Sequence, residues 1–93
     1  YERAEALGLV NAVYERDGFL DRVREYALGF CPPNKASLAV GCIKRAVQTG
    51  AELGLEHGLA LERELQQRLL ESADAAEGIG AYNDKRKPAF RGD

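Results

Sequence analysis

The chain has 93 residues, of which 45% are hydrophobic and 30% charged, and a formal net charge of −2. That composition is one of a single globular domain, and its mild acidity argues against a general nucleic-acid binder, whose affinity comes from a broad basic face. No apolar run approaches the roughly 18–20 residues of a membrane-spanning helix, while two cysteines and one histidine provide neither a disulfide framework nor a zinc cluster.

Glu2 to Leu7 reads as a short helix ending at Gly8, a C-capping glycine. Leu9, Val10, Ala12, Val13 and Tyr14 read as a brief strand, closed by the Asp17-Gly18 turn. A second helix is expected from about Phe19 to Phe30, with Leu20, Val23, Ala27 and Phe30 at helical spacing. Pro32-Pro33 ends it, because proline cannot continue the backbone bonding. Asn34 is the expected N-cap of a third helix, along which Ala36, Ala39, Val40, Ile43, Ala46 and Val47 form a stripe of mostly small residues. After a weak point at Gly50 to Gly54 a fourth helix runs to about Leu70. A fifth is expected to start at Asp74, with Glu77 reaching back as in a capping box and Ala75, Ile79 and Tyr82 as its apolar face.

The lone strand has no partner in the sequence, and unpaired strand edges leave backbone polar groups unsatisfied. Residues outside the chain are therefore expected to pair with it. The opening residues carry no signal-peptide pattern, so a cytoplasmic location with Cys31 and Cys42 reduced is expected.

Glu62 interrupts the stripe of Leu55, Leu59, Leu65 and Leu69 on the fourth helix. A carboxylate there serves either acid–base chemistry at a raised pKa or a structural hydrogen bond. No second acid or base shares its stripe, which favours the structural role. His57 falls on the opposite, polar face. Ser37, Thr49 and Ser72 sit in no nucleophile elbow, and Gly78-x-Gly80 follows no strand, so it is not a dinucleotide fingerprint. No catalytic constellation and no metal site is expected within these residues. At the C-terminal end Tyr82 precedes Lys85 and Arg86 by three and four positions, so one helical face would set an aromatic ring beside two cations. Such a face suits a nucleotide bearing phosphate; the bland alternative is a solvated basic helix end favoured by its own macrodipole.

In order and spacing, "ALGLVNAV", "CPPNKASLAVGCIKRAV" and "GLALERELQQRLLESADAAEGIGAYNDKRKPAFRGD" resemble the C-terminal third of the crotonase superfamily, the enoyl-CoA hydratases and isomerases. The most specific part is the run Ser72, Asp74, Glu77, Gly78, Ala81, Tyr82, Lys85, Arg86, Pro88, Phe90 and Gly92. Tyr82 stands where the family usually has phenylalanine, and Asp84 where it usually has glutamate.

The resemblance implies a mainly α segment, the C-terminal helical region (trimerisation and cap) of an α/β crotonase ββα-spiral fold, with one short N-terminal strand. Residues 1–18 would then end the crotonase core and residues 19–93 form the helical domain. It implies a parent enzyme that hydrates or isomerises acyl-CoA thioesters through an enolate held in an oxyanion hole, with the catalytic glutamates outside this chain. The 93 residues alone are accordingly expected to be inactive. Tyr82 and Lys85 match positions that meet the adenine and phosphate end of CoA, commonly across a subunit boundary. Glu62 matches a common glutamate that is not catalytic. No cofactor is implied, since CoA arrives on the substrate. The implied partners are an acyl-CoA thioester and further copies of the chain, as a trimer or dimer of trimers, with no nucleic acid and no membrane. A rival reading is a stand-alone helical oligomerisation module without catalysis.

Overall fold

The computed structural model describes all 93 residues, Tyr1–Asp93. Five helices follow one another: α1 Glu2–Ala6, α2 Phe19–Leu28, α3 Ser37–Gly50, α4 Leu55–Leu70 and α5 Ala73–Asn83. The expected strand is absent. Leu9 to Asn11 bend and Ala12 to Glu15 run without regular structure, because the chain offers no second strand to complete a ladder. Gly8, at φ +71, terminates α1 as foreseen. Its N–H donates to the Glu5 carbonyl at 2.9 Å, and the N–H of Leu9 donates to that of Ala4 at 2.9 Å, the paired bonds of a Schellman ending.

Packing is concentrated in the α3–α4 hairpin and the α4–α5 junction; α2 packs on no other helix. The buried residues are few: Cys42, Leu65, Asp74 and Ala81. The inward face of α3 is carried by Ala39, Cys42, Ala46 and Gly50, so Ile43 and Val47, counted with the small-residue stripe, stay exposed. On α4, likewise, Gly58, Leu61, Leu65 and Leu69 turn inward while Leu55 and Leu59 stay open. A Cβ on Gly58 would stand 3.6 Å from the Gly50 carbonyl oxygen, which shows how closely the two backbones approach. The thiols of Cys31, exposed, and Cys42, buried, are both free.

The molecule is a plate of 42 × 39 × 19 Å with a Cα radius of gyration of 16.5 Å, against roughly 12 Å for a compact domain of this length. Its accessible surface is 7831 Å², and a folded monomer of this mass exposes only about 5,300 Å². About 2,500 Å² is therefore surface that a self-sufficient domain would have covered. No helix is long and apolar enough to cross a membrane.

Candidate functional site: the folded-back C-terminal tail

Helix α5 begins at Ala73 and is capped by Ser72, not by Asp74. The Ser72 hydroxyl accepts from the Ala75 N–H at 3.1 Å and donates to the Leu69 carbonyl at 2.7 Å, joining the start of α5 to the end of α4 and satisfying one of the orphan donors of a helix N-terminus. This frees Asp74 and Glu77 from the capping roles expected of them. They hold the tail instead.

Beyond Asn83 the chain reverses and runs back along α5. Asp74, 4% exposed, receives the N–H groups of Arg91 and Gly92 on its two carboxylate oxygens at 2.7 and 2.8 Å. Its own N–H donates to the Asp93 carbonyl at 3.0 Å. One turn later, Glu77 takes both terminal nitrogens of Arg86 at 2.6 and 2.8 Å, and also the Ala89 N–H at 2.8 Å. The Phe90 ring lies over Gly78, where an added Cβ would stand 3.6 Å from it. Gly92 closes the tail at φ +93, against Pro32 and Ser37; a Cβ there would be 2.6 Å from the Ser37 hydroxyl, so both the backbone conformation and the space call for glycine.

Hydrogen bonds from Arg86 and then the Ala89 N–H hold the Glu77 carboxyl at about 2, below its ordinary 4.5, and the same carboxylate pushes the Arg86 guanidinium up. A bidentate, charge-assisted pair of this kind fixes orientation as well as charge. The face of α5 that covers the tail is thus Asp74, Glu77, Gly78 and Ala81, the last 1% exposed. The face expected to be apolar and buried does not behave so: Ile79 is exposed and Tyr82 is 83% exposed.

The expected alliance of one ring with two cations is also corrected. Helix α5 stops at Asn83, so Arg86 leaves the Tyr82 face and turns to Glu77, with Asp84 3.5 Å from it on the other side. Lys85 stays exposed. It sits at φ +54, the left-handed conformation, and its N–H donates to the Tyr82 carbonyl at 3.2 Å while the Arg86 N–H donates to that of Ala81 at 3.0 Å. This is the same Schellman ending that Gly8 makes on α1, with lysine in the glycine position. A lysine there carries a steric cost that glycine does not, on the order of 1 kcal/mol. Its ammonium is exposed and pairs with no carboxylate, since the ion pairs of the chain are those of Arg86. Of the expected CoA-binding residues, then, Tyr82 and Lys85 both stand on the open surface at the end of α5.

Glu62 lies elsewhere, in an open groove of about 540 Å³ between α3 and α4, among Ile43, Val47, Leu55 and Leu59. It is exposed and forms no ion pair within the chain. No cluster of three His, Cys, Asp or Glu side chains that could hold a metal is present.

The tail geometry gives a physical meaning to the motif running from Ser72 to Gly92, and known proteins share the whole chain. The sequence pattern of the Enoyl-CoA hydratase/isomerase family matches residues 1–93. Relatives include (E)-benzylidenesuccinyl-CoA hydratase of Thauera aromatica, 36% identical over 98% of this chain and 35% of the relative. Another is 2,3-dehydroadipyl-CoA hydratase of Escherichia coli, 37% identical over 98% of this chain and 35% of the relative. Among solved structures, an enoyl-CoA hydratase of Geobacillus kaustophilus superposes with a TM-score of 0.87 at 39% identity, covering 99% of this chain and 34% of that one. The chain therefore spans about a third of the length of the relatives it matches. A match across every residue, with the fold reproduced at this identity, establishes that the chain belongs to the enoyl-CoA hydratase/isomerase family.

Proposed function

We propose that this chain is the C-terminal part of an enoyl-CoA hydratase or isomerase acting on acyl-CoA thioesters, with hydration of a trans-2-enoyl-CoA as the leading reaction. In this reading the chain contributes no catalytic residue. It supplies surface for homo-oligomerisation, as a trimer or dimer of trimers, and a contact for the adenine and phosphate end of CoA through Tyr82 and Lys85. Glu62 is structural, finding its hydrogen-bond partners in whatever covers the α3–α4 groove. The surplus of exposed apolar surface supports the oligomeric part, because contiguous exposed patches of this extent mark interaction sites.

The observation that carries the CoA contact is Lys85 itself. A left-handed position that glycine would occupy without strain holds a lysine, whose ammonium is left unpaired while its neighbour Arg86 is fully engaged. Strained residues persist where their side chains are used. An exposed ring followed three residues later by an unpaired cation suits an adenine nucleotide, the ring stacking on the base and the cation meeting phosphate.

Lys85→Gly is the sharp test, because glycine suits the backbone and only the side chain is lost. In the full-length parent enzyme it should raise KM for an enoyl-CoA several-fold and leave kcat nearly intact, the signature of lost uniform binding. The melting temperature should stay level or rise. The KM penalty should shrink at high salt, where an exposed charge contact is screened. An unchanged KM at low salt would reduce Tyr82 and Lys85 to a solvated helix end.

A further inference from the structure

We infer that Glu77 is a positioning residue for CoA binding: by capturing Arg86 and the Ala89 N–H, it fixes the reversal of the chain that leaves Lys85 exposed at the end of α5, three residues after Tyr82. This inference rests on the CoA contact proposed above and adds a residue to it. Three observations carry it. Lys85 and Arg86 are adjacent, so the direction of one side chain constrains the other, and Arg86 is held at both terminal nitrogens, at 2.6 and 2.8 Å. The same Glu77 oxygen that binds Arg86 also takes the Ala89 N–H at 2.8 Å, so one carboxylate secures the chain on both sides of Lys87 and Pro88. Lys85 itself occupies a conformation that L side chains rarely adopt, at φ +54, and a residue in such a conformation stays there only when its surroundings over-determine it.

The pair also disposes of a competing cation. An unpaired Arg86 beside Lys85 would offer a phosphate two alternative contacts with different geometries. With its guanidinium committed to Glu77 and flanked by Asp84 at 3.5 Å, Arg86 orients the chain and Lys85 is left as the cation that meets ligand. A planar bidentate fork suits the first task, and a compact ammonium on a flexible stem suits the second. The chain therefore assigns its two adjacent cations different work.

The test is a double-mutant cycle in the full-length parent enzyme, reading KM and kcat for an enoyl-CoA and the affinity for free CoA by calorimetry. Glu77→Gln keeps the volume and loses the ion pair; it should weaken CoA and raise KM about three- to tenfold, with kcat within about twofold of wild type, as for a lost charge-assisted contact. Added to Lys85→Ala, it should cause no further loss, because no ammonium remains to be positioned. Should Glu77→Gln fail to fold, Arg86→Gln breaks the same pair from its more exposed side and must show the same KM effect and the same non-additivity. If Lys85→Ala raises KM while Glu77→Gln and Arg86→Gln do not, or if the effects simply add, the positioning role is overturned and the CoA contact stands. If Lys85→Ala leaves KM unchanged, the contact falls and the positioning role falls with it.

Discussion

Asp74 gives the tail its sharpest test. Its carboxylate is buried and accepts two backbone N–H groups, from Arg91 at 2.7 Å and Gly92 at 2.8 Å. Each is a hydrogen bond to a charged acceptor, worth about 1.5–3 kcal/mol. Asp74→Asn preserves size and keeps one acceptor oxygen, but sets an amide NH2 against the second N–H, so one bond is lost and a donor faces a donor. The change should cost about 2–4 kcal/mol in the equilibrium that seats the tail. At a factor of ten per 1.4 kcal/mol, opening of the tail should become about 30-fold to several-hundredfold more frequent. Amide hydrogen exchange reads this directly, because the Arg91 and Gly92 protons are the ones released. Their exchange should accelerate by that factor, or until protection is gone, while amides at the α3–α4 contact, Leu65 among them, keep their wild-type rates. Wild-type exchange at Arg91 and Gly92 in the variant would show that the carboxylate does not hold the tail.

Three further outcomes follow from the same geometry. The Glu77 carboxyl is held at about 2, below its ordinary 4.5, so its stabilising contribution is complete above the ordinary value and is lost as pH falls toward 2; the Ala89 amide resonance should titrate in that window and Glu77→Gln should abolish the titration. Gly92→Ala should loosen the tail by about 1–3 kcal/mol, since alanine is strained at positive φ, and Ser37→Ala should recover only part of this by removing the hydroxyl an added Cβ would meet; full recovery would show that crowding, not backbone conformation, dominates. Glu62→Ala should leave the melting temperature of the 93-residue chain unchanged, because the side chain is exposed there, yet cost the assembled parent about 1–3 kcal/mol with kcat preserved; a collapse of kcat at constant stability would make Glu62 catalytic.

The helices are legible where local chemistry bounds them. Gly8 and the stretch from Gly50 to Gly54 act within a few residues of themselves, and no distant contact is needed to read them. The strand expected over Leu9 to Tyr14 does not form within this chain, because an apolar run specifies a strand only where a ladder exists to receive it. Asn34 does not cap α3: it lies in the turn after Pro33, its N–H donating to the Cys31 carbonyl at 3.1 Å, and α3 starts at Ser37 behind Ala36, which has no side-chain cap to offer. The largest difference lies in α5, where spacing points to an apolar face of Ala75, Ile79 and Tyr82 but Ile79 and Tyr82 are exposed. Hydrophobic periodicity assumes that what covers a helix is apolar. Here the cover is a length of backbone whose N–H groups need acceptors, so the inward face carries Asp74 and Glu77. Spacing alone likewise puts Arg86 on the Tyr82 face, since nothing local announces that Lys85 takes the left-handed position and that Arg86 turns to Glu77.

Helix α2 has only ten residues and no helical neighbour. Isolated helices shorter than about 12–15 residues are marginal in water, and the aromatic contacts α2 makes are local and edge-on, Tyr26 with Phe30 and Tyr14 with Phe19. In the proposed assembly its ordering is coupled to docking. Any body that receives its apolar side must supply the free energy of coil-to-helix conversion out of the gross attraction, so the measured affinity will fall short of what the covered area suggests. The enthalpy and heat-capacity change of association will, conversely, exceed those of rigid surfaces meeting. Separation of the proposed assembly and melting of α2 should then coincide as one transition, whose midpoint moves with protein concentration.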